Sequence, residues 1–122
     1  MNFGFDLEGT LDADPHVFSA LCHALVTAGH GVHIITAYWS PDGGFDQSQV
    51  DLRKSQIAAI GFELGVHYSA VIYAPGFTAE QQAEQKSQAC ASWGIALMFE
   101  DRQDFCDEIS KVTRCVLMQP RL

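Results

Sequence analysis

Five short apolar runs recur along the chain with longer, helix-periodic stretches between them, and this alternation limits the fold more than any other feature. The runs are "NFGF", "VHIIT", "SAVIY", "IALMF" and "RCVLM". Each has strand length, and those beginning at Val32, Ser69 and Arg114 are rich in β-branched or aromatic residues. The stretches between them carry helix punctuation. Asp14 before Pro15 is an N-cap followed by proline at the first helical position, and Gly29 is a stop. This predicts a helix from about 14 to 28 with Val17, Phe18, Leu21, Leu25 and Ala28 on its inner face. Asp46 caps a second helix, in which Val50, Ile57, Ile60 and Leu64 share a face before Gly65. Thr78 and Gln81 have capping-box spacing for a third that ends at Gly94, and a short fourth lies near 103–111.

Strand and helix in strict alternation imply right-handed crossovers and a parallel sheet covered on both faces. The expected fold is therefore α/β: one doubly wound, Rossmann-like domain over residues 1–122, with five parallel strands and helices on both faces. A hydrophobic content of 48% in 122 residues is enough for a core. The linking segments leave no room for a cap domain.

Charge and cysteine usage narrow the function. A formal charge of −8, with only seven Lys and Arg, argues against a nucleic-acid polymer as partner, but a single nucleotide stays open. Cys22, Cys90, Cys106 and Cys115 have no zinc-like spacing with one another or with the five histidines, and are expected as reduced core thiols. No apolar run has the ~18 residues of a membrane helix, and the amino terminus lacks signal-peptide character, so a cytoplasmic protein is expected.

Ligands of open α/β sheets sit outside the carboxyl ends of the strands. Those ends carry Asp6 and Glu8 after the first run, Thr36 after the second, and Glu100 with Asp101 after the fourth. In order and spacing, "FDLEGTL", "HIITAY", Lys86 before the fourth run and "MFEDRQDF" resemble the motifs of the haloacid dehalogenase superfamily of phosphohydrolases. The resemblance covers the whole chain, is nearest the small members without a cap, and extends loosely to the deoxyribonucleotidase branch.

The resemblance implies a Mg²⁺-dependent phosphomonoesterase. Asp6 would be the nucleophile that becomes an aspartyl phosphate. Glu8, standing where that family usually has a second Asp, would be the general acid and base. Thr36 and Lys86 would bind the phosphoryl group, and Asp6, the backbone carbonyl of Glu8 and Asp101 would hold Mg²⁺. The substrate would be a phosphorylated small molecule such as a nucleotide, or a macromolecule. With no cap, a large substrate or homo-oligomerisation would shield the site.

Two positions depart from the motif, Glu8 and Glu100, each with Glu where Asp is usual. One extra carbon–carbon bond displaces a carboxylate by about 1.5 Å, and a misplacement of ~1 Å can cost roughly a hundredfold in rate. An alternative reading therefore stands beside the first: a catalytically weak or silent phosphate- or nucleotide-binding module. A receiver-type signalling domain fits less well, because "SAVIYAPG" offers no aspartate at the third strand. Tyr38 and Trp39 follow Thr36 on an expected loop, where they could stack on a base or pack locally. Trp93 and Phe99 are expected in the core, the histidines in structural or solvent-facing positions, and Asp104 has no assigned role.

Overall fold

A computed structural model describes residues 1–119. The elements are β1 (Asn2–Phe5), α1 (Pro15–Thr27), β2 (Gly31–Trp39), α2 (Gln47–Ala59), β3 (Ala70–Gly76), α3 (Ala79–Ser92), β4 (Ile95–Glu100), α4 (Gln103–Ile109) and β5 (Arg114–Leu117). The strands form one five-stranded sheet in the order β3-β2-β1-β4-β5, and every pairing is parallel. This is the doubly wound architecture that the alternation predicts. Pro75 is accommodated because β3 lies at the sheet edge, where a missing donor costs little.

Successive strand residues point to opposite faces, so each central strand feeds two cores. On one face Phe5, Val32 and Ile34 pack against Phe18 and Cys22 of α1 and Ile57 of α2. On the other, Ile35, Ile95 and Met98 pack against Ala83 and Cys90 of α3 and Phe105 and Ile109 of α4. Each fully buried large side chain contributes about 1.5–3 kcal/mol, so the two clusters are the main source of stability. Gly4 interrupts the central strand for a steric reason: a Cβ there would lie 2.6 Å from the Met98 sulfur, which packs over it.

Local signals predict the helix starts well. The Asp46 side chain accepts from the amides of Ser48 and Gln49, and Thr78 and Gln81 form both halves of a capping box. Other expectations are corrected. The second helix ends at Ala59 because Gly61 takes a left-handed φ of 82°, so Leu64 lies beyond the helix and is exposed. The inward stripe of α1 is Phe18 and Cys22, while Val17 and Leu21 face solvent. Trp93 caps the end of α3, half exposed, with its ring 5.4 Å from that of buried His33. The second strand continues past Thr36 to Trp39, so Tyr38 and Trp39 are strand residues. Among the described residues no helix is long and apolar enough to cross a membrane.

Candidate functional site

The chain winds outward from β1 to β3, then returns across β1 to β4 and β5, so the winding reverses between β1 and β4. At such a switch point the crossover helices leave on opposite faces and open a crevice beyond the carboxyl ends of the strands. Asp6 stands directly after β1, Glu100 ends β4, and Asp101 follows it. The described surface has an open cavity of about 260 Å³ here, lined by Asp6, Glu8, Thr36, Lys86, Glu100 and Asp101 among others. That volume is just below the usual span of small-ligand sites, about 300–1,000 Å³.

At the floor of the crevice a lysine sits between two acids. Lys86 reaches from the middle of α3, passes 5.0 Å above the Phe105 ring, and donates to Asp6 Oδ1 at 2.6 Å and Glu100 Oε2 at 2.7 Å. Lys86, Asp6 and Glu100 are all buried. Burial alone would lower the ammonium pKa, but the facing carboxylates of Asp6 and Glu100 outweigh it and hold it above its ordinary value. One ammonium cannot neutralise two buried carboxylates. Desolvation therefore pushes Asp6 well above the usual carboxylate range, assisted by the nearby Glu100 charge and opposed by Lys86. Glu100 is raised as well, chiefly by burial.

Asp101 completes an acidic cluster. Its carboxyl lies within hydrogen-bonding reach of Asp6, and one oxygen from each of Asp6, Glu100 and Asp101 lies within 4.8 Å of the others. Gly9 makes this approach possible. The turn Leu7–Leu11 holds it at a φ of 79°, and a Cβ there would collide with the Asp101 carboxylate.

The cluster is a candidate site for a hard divalent cation. Oxygen ligands about 2.0–2.1 Å from Mg²⁺, or 2.3–2.6 Å from Ca²⁺, are separated from one another by no more than roughly twice those lengths. The donor set is all carboxylate, and Glu100 Oε1 is buried without a protein partner. Asp6, Glu100 and Asp101 are the residues that could hold a divalent cation.

The structure places Asp6, Thr36, Lys86 and Asp101 around one crevice and adds Glu100 to their centre. Glu8 lines the same cavity, but its side chain is half exposed and pairs with Arg53 at 3.1 Å, outside the carboxylate cluster. Arg53, from α2, is the residue that sequence reasoning missed. It is buried, donates through Nη2 to the Ala37 carbonyl at 3.2 Å and through Nη1 to Gln56, and keeps its Nε without a protein partner. A mid-helix arginine carries no motif, so only the packing of α2 under β2 reveals its role.

At the mouth of the crevice, Arg102 lies 3.9 Å above the Phe105 ring and pairs with Asp104 at 2.7 Å. Tyr38 is buried, and its hydroxyl accepts from the Asp46 amide. No histidine joins the metal-competent group among the described residues. Cys22, Cys90 and Cys106 are buried free thiols, and burial pushes Cys22 up to about 12 and Cys90 up to about 11.

No protein-family model matches the chain, and no curated protein sequence matches it. Solved structures do. A universal stress protein in complex with cAMP superposes with a TM-score of 0.52 over 99% of this chain and 98% of its own, at 9% identity. A universal stress family protein from Burkholderia pseudomallei does so with a TM-score of 0.52 over 98% and 96%, at 13% identity. At these identities the likeness is one of fold.

These neighbours are universal stress proteins, and the expectation of a haloacid dehalogenase phosphohydrolase is corrected accordingly. The roles of Asp6 as nucleophile and Glu8 as acid and base, which rested on that resemblance, lose their basis with it. The Glu8 side chain is turned toward Arg53.

Proposed function

We propose that the chain is a binding module for a small phosphorylated ligand, a nucleotide in the first instance, taken in the crevice between β1 and β4 with a divalent cation. The observation that carries this reading is the Lys86 ammonium buried between Asp6 and Glu100, with Asp101 alongside, at the switch point of the sheet. The crevice as built is too acidic for an anion: both short hydrogen bonds of Lys86 go to carboxylates, and Glu8 occupies Arg53. Mg²⁺ at Asp6 and Asp101 would supply the positive charge that a phosphate needs. Arg53 and Arg102 also line the cavity, and the Arg53 guanidinium matches phosphate geometry. Thr36 lines the same cavity with a hydroxyl side chain. The bound cAMP of one structural neighbour supports a nucleotide for a chain of this fold.

Calorimetric titration with cAMP, nucleoside mono-, di- and triphosphates and sugar phosphates, each with Mg²⁺ and with EDTA, tests the proposal. Saturable binding of at least one ligand class that needs Mg²⁺ and is lost in Asp101→Asn is the expected result. Absence of binding across the panel, with Mg²⁺ present and the protein folded, would overturn it.

A further inference from the structure

We infer that Trp39, backed by Phe77, is the base-binding subsite of the crevice, so that the ligand is a nucleotide rather than a phosphorylated sugar or acid; this rests on the phosphate-binding reading above. The two rings stand on adjacent strand ends: Trp39 closes β2, Phe77 follows β3, and Trp39 pairs in register with Gly76. Their centroids are 6.1 Å apart at an interplanar angle of 44°. Both rings are more than half exposed, Trp39 at 53% and Phe77 at 54%, so folding draws little from their burial. A single exposed aromatic is unremarkable, but Trp39 lines the cavity that holds Asp6, Lys86 and Asp101, and Phe77 stands behind it.

The platform is held in place before any ligand arrives. The Ser40 amide donates to the Gly76 carbonyl at 3.2 Å, tying β2 to β3 immediately beside both rings. The Ser40 hydroxyl donates to Asp42, whose carboxylate also accepts from the Gly44 amide, and the Asp46 amide donates to the Tyr38 hydroxyl at 3.0 Å. A flat π-surface presented on a tied backbone binds with a low ordering cost. Two residues before Trp39, the Ala37 carbonyl anchors Arg53, so one short stretch of β2 connects the aromatic rim to the cationic wall. A molecule that satisfies both ends carries an aromatic ring and a phosphate together, which is the chemistry of a nucleotide.

The test compares AMP with ribose 5-phosphate, in the presence of Mg²⁺, on the wild type, Trp39→Ala and Trp39→Phe, by calorimetry. Stacking on Trp39 should make AMP the tighter ligand by between about fivefold and a hundredfold. Trp39→Ala should erase that preference while leaving ribose 5-phosphate unchanged, and Trp39→Phe should keep most of it. In a Trp93→Phe background Trp39 is the remaining tryptophan of the two, and AMP should quench its fluorescence where ribose 5-phosphate does not. Equal affinity for the two ligands in the wild type, or a preference untouched by Trp39→Ala, would overturn the subsite and leave the phosphate site standing. Failure of both ligands to bind would overturn the subsite and the nucleotide reading together. Because Trp39 is exposed, circular dichroism should show all variants folded.

Discussion

Replacing Lys86 with methionine removes the positive charge from between Asp6 and Glu100 while keeping a side chain of similar length. The ammonium is 2.6 Å from one carboxylate and 2.7 Å from the other, and all three residues are buried. At an effective dielectric constant of ~20, each contact has a gross attraction of about 6 kcal/mol, most of which offsets the desolvation of the charges. Removing one partner of a buried pair typically costs about 3–5 kcal/mol, because the charges left behind have neither water nor counter-ion. Here two carboxylates are left, so the upper part of that range applies. For a domain of this size the change corresponds to a fall in Tm of roughly 10–20 °C.

Urea denaturation at pH 7 gives the free energy directly, and millimolar Mg²⁺ should recover part of the loss by occupying the space between the acids. The loss should also shrink toward pH 4, where both carboxyls are neutral in the variant. A loss below ~1 kcal/mol at pH 7, or one independent of pH, would refute the view of Lys86 as the counter-ion on which the crevice depends.

Three other outcomes follow from the same geometry. Asp6→Asn, measured in EDTA, should be more stable than the wild type at pH 7. With its pKa raised in the folded state, Asp6 binds more protons folded than unfolded, so the wild type loses stability as pH rises from about 4 through the raised value, at up to ~1.4 kcal/mol per unit; the difference between the two proteins, followed by denaturation against pH, should vanish near pH 4. Gly9→Ala forces a left-handed φ of 79° on a residue with a Cβ and drives it into Asp101; a loss of about 1–3 kcal/mol together with weaker Mg²⁺ binding is expected, and wild-type values in both assays would show that the turn is not needed to seat Asp101. Glu8→Gln should release Arg53 and tighten binding of a phosphorylated ligand by up to about fivefold, the limit set by a half-exposed ion pair; weaker binding in calorimetry would make Glu8 a contributor to the site.

The resemblance to phosphohydrolases illustrates how far motif spacing reaches. Asp6, Thr36, Lys86 and Asp101 were singled out by order along the chain, and the structure gathers all four around one crevice. Order along the chain says which strand ends share an edge, but not what the side chains do there. Glu8 was given the acid and base role, and its side chain pairs with an arginine that arrives from the next crossover helix. Glu100 was set at the margin, yet it is the second of the two acids that hold Lys86. The functional class attached to the motif did not survive comparison with solved structures.

What the amino-acid sequence determined by itself is the local and periodic part. Strand-length apolar runs, the caps at Asp46 and Thr78, and the stop at Gly94 act within a few residues, so they predict the strand–helix alternation and, through the rule of carboxyl ends, the edge at which a ligand sits. Tertiary structure alone decided which acids share the Lys86 ammonium, which face of α1 is buried, that Arg53 enters the crevice, and that Trp39 at its rim meets Phe77. Each of these depends on strand order and helix rotation, and so on contacts between residues far apart in the chain. Lys86 and Asp6 lie 80 positions apart, and the burial that raises Asp6 and the facing carboxylates that raise Lys86 exist only once the sheet has closed over them.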